Sequence, residues 1–496
     1  MQCSLLTRSA RKRIPKTGFV YALLLAASTM TSQAAVASAS AEPPLLKVRL
    51  ETHLTSYSSK PGSRFHAVVV ADYERDGQVL IPRGSLIYGT VRRVTGVGLG
   101  FRHERARLSL SFRAYETPDG QRVPFSAKLV SIENAREKVL PDGRIRGVLA
   151  AQNPNGLLNG LWYNPASDFD FFLFHSAIGL TGVAHKVLQI VPVGTAGTVA
   201  LLALRCAVIR FPEPEIHLPP GTDMNLAVTF PLGPIPSFPI RQPVPVPKDL
   251  AEELESLPRS ITRHNGHAAD DLINVVFIGS RQELTDAFAA VGWSSAEHVS
   301  ARSFTREYLA FSSMRSYETA PVSRLYYRGT LPDLVFQQSL NTISKRDHIR
   351  IWHYGVIDGQ NVWLGAATHD SGITFHASGF AFSHRIDGAL DLERATVVDD
   401  LSFAGCSTPV SFIEDSSEIP GNGDGFVTTD GRLAVLSVKN CDAPISDDDE
   451  PAPAAPGNKL TRVTRRLILE SRNYFLRENA YYWTYQLIRH HRITGQ

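Results

Sequence analysis

Apolar and polar residues alternate with a period of two along several short stretches in the first half of the chain. Leu46-Lys47-Val48-Arg49-Leu50 does so, as do the stretch around Ala67–Val70 and Arg107-Leu108-Ser109-Leu110-Ser111-Phe112. Such alternation predicts strands with one buried face and one wet face. Lys60-Pro61-Gly62, Arg75-Asp76-Gly77, Pro82-Arg83-Gly84 and Pro118-Asp119-Gly120 separate the strands. In these turns Pro presets φ and Gly takes the positive φ that follows. Short strands spaced by turns over 45–232 predict a small all-β barrel or sandwich. Within it, residues 169–209 form an apolar insertion. Val187–Leu204 runs for 18 residues without a charge, between Lys186 and Arg205. It reads as a helical hairpin packed on the barrel. Membrane insertion is the alternative, because a spanning helix needs about 20 apolar residues.

The pattern then changes. A cluster of prolines between Pro231 and Pro247 predicts an extended linker, placed at 233–264. Residues 265–442 read as an α+β domain. Ile273–Gly279 is an apolar strand, and Ser280 with Glu283 three positions on predicts a capping box. Leu284, Phe288 and Val291 supply the buried stripe of the helix it opens. Residues 443–458, acidic and then rich in Pro and Ala, predict a disordered linker. Residues 459–496 predict one basic, aromatic helix, suited to a membrane surface, a protein partner or its own domain. The expected whole is multidomain: a barrel with a hairpin insertion, an α+β module and a C-terminal helix.

Charge alters the picture at the N-terminus. The 496 residues include 51 Lys and Arg against 48 Asp and Glu, a formal +3. Arg8, Arg11, Lys12, Arg13 and Lys16 all precede a short apolar run from Phe19 and a stretch of small residues. That is the order of a secretory signal, assigned to residues 1–34. Without those five, 46 basic residues face 48 acidic ones, a formal −2. The apparent basicity is therefore an address. It does not indicate nucleic-acid binding. Export also permits Cys406 and Cys441 to pair, with two unpaired thiols as the alternative.

Several landmarks carry family resemblance. Arg49-Leu50-Glu51-Thr52, Ser59-Lys60-Pro61-Gly62, Leu80-Ile81-Pro82-Arg83-Gly84-Ser85 and Leu218-Pro219-Pro220-Gly221-Thr222 resemble the β-barrel of TrbI-like proteins of conjugation and type IV secretion. That resemblance implies a barrel and permits a channel component. His348-Ile349-Arg350-Ile351-Trp352, Val362–Asp370, Ser383-His384-Arg385-Ile386-Asp387 and Asp391-Leu392-Glu393-Arg394 resemble the LssY C-terminal domain family over about 265–442. Asp347 stands where that family often has His, and Ser383 where it often has Thr. The resemblance implies a domain associated with membrane phosphatase-like proteins. It implies no reaction.

The candidate chemistry comes from residue types. His348, Arg350 and Trp352 share a strand face, and so do Trp363, Gly365, Ala367 and His369. If the two strands pair, both histidines and the arginine could line one surface. Asp370, His384, Asp387, Asp391, Glu393 and Arg394 lie just beyond, with Asp391 as a helix N-cap. The ligand-binding candidates are His348, Arg350, His369, Asp370, His384, Asp387, Asp391 and Arg394. Such a set suits a phosphate, a carboxylate or a divalent metal, or a purely structural network. No metal is assigned, and a metal is not the favoured reading. No P-loop, G-x-S-x-G, His-x-x-x-His or Cys–His zinc spacing is present. The expectation is a non-enzymatic exported envelope protein, periplasmic or at the outer envelope. It would bind membrane surface or envelope proteins, with oligomers permitted. An envelope hydrolase of phosphorylated or lipid-linked material and a secretion-channel component are the alternatives.

Overall fold

The computed structural model describes residues 44–100, 103–134, 136–147, 215–230 and 235–264. It also describes most of 266–441 and a few positions from 458 to 488. The expected signal (1–34), the hairpin insertion (169–209) and nearly all of the linker at 443–458 lie outside the described residues.

The first half is built from β1 (Leu46–Leu50), β2 (Leu54–Thr55), β3 (Arg64–Val69), β4 (Tyr73–Arg75), β5 (Gln78–Ile81) and β6 (Leu86–Thr95). Then come β7 (Arg107–Glu116), β8 (Arg122–Ile132), β9 (Lys138–Val139), β10 (Ile145–Arg146), β11 (His217–Leu218) and β12 (Asp223–Thr229). Six of these strands pair in the order β6-β3-β1-β12-β8-β7, and β7 returns to β6. The sheet is thereby a closed antiparallel barrel, which leaves no open edge among these strands. Alternate residues fill its interior, among them Leu46, Val48, Leu50, Phe65, Ile87, Tyr115 and Leu226. Gly89 is required by that filling. It lies directly opposite Phe65, and a Cβ there would sit 2.1 Å from the Phe65 ring.

The second half is a mixed sheet. Its strands are β13 (Ser260–Thr262), β14 (Ala268–Leu272), β15 (Val275–Ile278), β16 (Ser294–Ser295) and β17 (Leu334–Thr342). β18 (Lys345–Ile357), β19 (Gln360–His376), β20 (Ala381–Ile386), β21 (Ser411–Glu414) and β22 (Arg432–Ser437) complete the set. The main sheet runs β16-β17-β18-β19-β15-β22-β21, with β20 on β19 and the β13–β14 pair separate. Only β15–β22 among its described pairs is parallel.

Among the described residues, helices α1 (Lys248–Glu255), α2 (Arg281–Ala290) and α3 (Leu390–Phe403) flank this sheet. One face packs α2 and α3 through Leu284, Phe288, Val397 and Leu401. The other packs α1 through Leu250 and Leu254. The capping box of Ser280 and Glu283 is present at the start of α2. The stretch read as a linker holds α1 and β13 in its second half. Leu250 and Leu254, four apart, put a buried stripe on the first turns after the prolines.

The two halves touch through β1. Its outward residues Lys47 and Arg49 are not wet, contrary to the simplest reading of the alternation. Arg49 is buried between β12 and α3. At another side of the barrel, Leu469 of the C-terminal segment joins the barrel core, and Arg465 pairs with the buried Glu215 at 2.5 Å. The described residues from Leu460 to Leu469 are helical. Among the described residues no helix is long and apolar enough to cross a membrane. Cys406 and Cys441 are bridged, with an S–S distance of 2.02 Å.

Candidate functional site

The pairing of β18 with β19 decides which polar residues meet. Asp358 and Gly359 turn the hairpin, both with positive φ, as a two-residue turn of this kind needs. Next to the turn, Ile357 faces Gln360. That pairing, continued unshifted, would set His348 against His369. The register slips between His353 and Gly355, so His348 faces Thr368, and Asp347 faces His369. A one-residue slip moves a side chain to the opposite face. The expected single surface with both histidines and Arg350 is therefore not formed. His348 and Arg350 lie on the α1 face, and His369 lies on the α3 face.

On the α1 face the candidates are consumed by each other. Arg346 donates to Asp370 at 2.7 Å and to Gln337 at 3.1 Å. Arg350 donates to Asp271 at 2.5 Å and to Ser323 Oγ at 2.9 Å. His348 Nε2 and the Thr368 hydroxyl are 2.8 Å apart, and its Nδ1 lies 3.7 Å from Asp370. Arg346, His348, Arg350 and Asp370 are each no more than 2% exposed. Burial depresses the Arg350 pKa, although Asp271 and Asp370 oppose that. These are charges kept inside the fold by partners, where losing one partner strands the other.

The candidates on α3 form a clasp. Arg394 donates to both oxygens of Asp430 at 2.8 Å and to the Arg432 carbonyl at 2.6 Å. Those hydrogen bonds hold the Asp430 carboxyl far below its usual range. Asp391 is not the N-cap. Ala389 takes that position, and α3 begins at Leu390. The Asp391 carboxylate instead accepts from the Thr429 hydroxyl at 2.8 Å and the Asp430 amide at 2.6 Å. Asp387 is exposed and accepts from the Ala389 amide. His384 falls on β20 opposite Ile373, and its side chain lies outside the described residues.

The α3 face holds a different constellation. His369 Nδ1 lies 2.5 Å from Asp347 Oδ1 and 4.0 Å from Glu393 Oε2. Cross-strand register supplies the first pair, and the first turn of α3 lays Glu393 over it. Burial works against a charged His369, yet the hydrogen bond and charge of Asp347 raise its pKa. Burial, with Asp347 next to it, drives the Glu393 carboxyl well above its usual range. Ligand atoms of the three side chains lie within 4.8 Å of one another. Two carboxylates and an imidazole can share protons or ligate a divalent metal.

This cluster adjoins the contact with the barrel. Arg49 donates to both Asp223 oxygens at 2.7 and 2.9 Å and to Asp400 at 2.6 Å. Asp400 also accepts from Trp293 Nε1 at 2.9 Å. Lys47 lies 3.7 Å from both Asp223 and Asp399. Sequence reasoning passed over Asp347, Asp400, Lys47 and Arg49 as site residues, and placed Glu393 beside the cluster without choosing it as a ligand-binding candidate. The spacing of Glu393, Thr396 and Asp400 along one helical face was the available signal. Three buried polar residues at i, i+3 and i+7 mark a helix face with partners.

Residues 252–433 match the family model described as the LssY C-terminus. The sheet half of the chain is thus similar to the LssY C-terminal domain over those residues. Among solved structures, the chain is similar to ComB10 of the Com type IV secretion system of Helicobacter pylori. The identity is 12% and the TM-score 0.18, over 37% of this chain and 84% of that one. That likeness carries no argument about function. No curated protein matches.

Proposed function

We propose that the chain is a non-enzymatic exported envelope protein, in which the barrel and the LssY C-terminal domain act as one binding or assembly unit. One observation carries this reading. The polar residues that would make a hydrolytic site on the α1 face are closed into buried pairs, Arg346 with Asp370 and Arg350 with Asp271. The guanidiniums of Arg346 and Arg350 are thereby already engaged and are not offered to a phosphorylated substrate. Arg49 from the barrel, pinned to Asp400 in the other half, supports a single unit. The basic and apolar order of residues 1–34 supports export, and envelope proteins or the membrane surface are the partners we assign.

Fractionation of cells expressing the full chain tests export. The protein is expected in the envelope with its first residues removed, while a chain lacking residues 1–34 stays in the cytoplasm. Envelope recovery of that truncated chain would contradict the address. Assays of the purified protein on phosphate monoesters and diesters test the other half. No turnover above a heat-denatured control is expected, and steady turnover would overturn the non-enzymatic reading.

A further inference from the structure

We infer that Asp347, His369 and Glu393 form a binding site for one divalent transition-metal cation of the zinc or manganese type. The site goes beyond the proposed function, which needs no metal. Three observations carry it.

The first is geometry. The three side chains come from β18, β19 and α3, and their ligand atoms already lie within 4.8 Å of one another. Ligands on a tetrahedral metal with bonds near 2.0–2.2 Å stand roughly 3.5 Å apart. His369 Nδ1 to Glu393 Oε2, at 4.0 Å, needs only a small closure. His369 and Asp347, at 2.5 Å, open by about 1 Å when a metal replaces the proton between them. That proton leaves to solvent.

The second is an orphaned acceptor. Glu393 is 3% exposed, and its Oε1 is buried with no hydrogen bond among the described residues. A buried oxygen without a donor is costly and calls for an explanation such as an ion.

The third is charge. Glu133 and Asp223 of the barrel and Asp399 and Asp400 of α3 add four carboxylates to the two of the site. Against these six stand Lys47, Arg49 and, beside His369, Lys345. The acid groups thus outnumber the basic ones, and a divalent cation that displaces their protons offsets the excess. One imidazole and two carboxylates suit zinc or manganese better than calcium, which takes six to eight oxygens. Access is through His369, whose side chain is 23% exposed, while Asp347 and Glu393 stay below 5%. Bound there, the metal would tie α3 to β18 and β19 directly beneath the barrel contact.

The test is calorimetric titration of ZnCl2 or MnCl2 into the full chain, purified without a histidine tag and stripped by chelator. One cation per chain is expected, with a rise in melting temperature on loading. Glu393→Gln keeps the shape and removes a ligand, and it is expected to weaken binding at least tenfold. His369→Ala should do the same. His353→Ala, exposed on the same strand as Asp347, should bind as the parent does. Circular dichroism establishes that each variant is folded, and Glu393→Gln alone decides the matter if His369→Ala does not fold. No uptake by the parent chain, or uptake unchanged in folded Glu393→Gln, would overturn the proposal.

Discussion

Arg49 of the barrel and Asp400 of helix α3 are 2.6 Å apart, 351 residues distant in sequence. The same guanidinium grips both oxygens of Asp223, its cross-strand neighbour on β12. One buried side chain thus joins two barrel strands to helix α3 of the sheet half. A planar guanidinium can serve two carboxylates at once, which an ammonium cannot do with the same geometry.

The contact should be sensitive to pH. Glu133 faces Lys47 of β1, Asp223 of β12, Asp347 of β18 and Asp400 of α3, and burial pushes its carboxyl up to about 7. Burial likewise pushes Asp399 up to about 6, with Lys47 and Arg49 opposing and the neighbouring aspartates adding. An acid with a raised folded pKa holds more protons folded than unfolded in that window, so stability falls as pH rises through it. The His369 pKa is also raised, and its contribution is lost in the same direction. In chelator, the melting temperature should be lower at pH 8 than at pH 5, and Glu133→Gln should flatten the slope. A parent curve that rises over this range would contradict the charge arrangement.

Arg394 should resist replacement by lysine. Its fork meets both Asp430 oxygens and the Arg432 carbonyl, and lysine keeps the charge but loses the two-pronged fit. We expect Arg394→Lys to cost about 1–3 kcal/mol, read by urea unfolding. A loss below about 0.5 kcal/mol, the scatter of ordinary surface changes, would mean the clasp is dispensable.

Gly365 makes room for the sheet core. A Cβ there would lie 2.9 Å from the Phe277 ring and 3.1 Å from Ile349. Gly365→Ala should destabilise by about 1–3 kcal/mol, the usual cost of overpacking. Phe277→Leu in the same chain should recover part of that, and a further loss equal to the sum of the two would contradict the proposed clash.

The bridge between Cys406 and Cys441 closes a separation of 35 residues. A loop of that size is worth about 3–4 kcal/mol by chain entropy. Reduction should lower the melting temperature measurably. Thiol titration of the denatured, unreduced chain should find neither Cys406 nor Cys441, and labelling of either would sink the bridge.

Local pattern carried much of this architecture. The alternation in β1 and β7, the Pro-Gly turns and the Ser280–Glu283 box depend on near neighbours, so they are legible in one dimension. The site was legible only in part. His369 is recognisable as chemistry, but its partner depends on the slip between His353 and Gly355, which no residue pattern announces. Without that slip the two histidines would face one another. Lys47 and Arg49 read as solvent-facing because their acidic partners Asp399 and Asp400 come from a distant helix. Leu250 and Leu254 were hidden by the prolines before them, although their spacing alone marks a helix.

A double-mutant cycle on Arg49 and Asp400 tests the union of barrel and sheet most directly. Arg49→Ala leaves Asp223 and Asp400 without their shared cation, and should cost about 3–5 kcal/mol. Asp400→Asn removes the charge that Arg49 meets and keeps an acceptor for Trp293. Measured by urea unfolding of the two single variants and the double variant, the predicted coupling is at least about 1 kcal/mol, within the range for residues in one network. Additivity within about 0.5 kcal/mol, the behaviour of independent sites, would contradict the contact and with it the single unit.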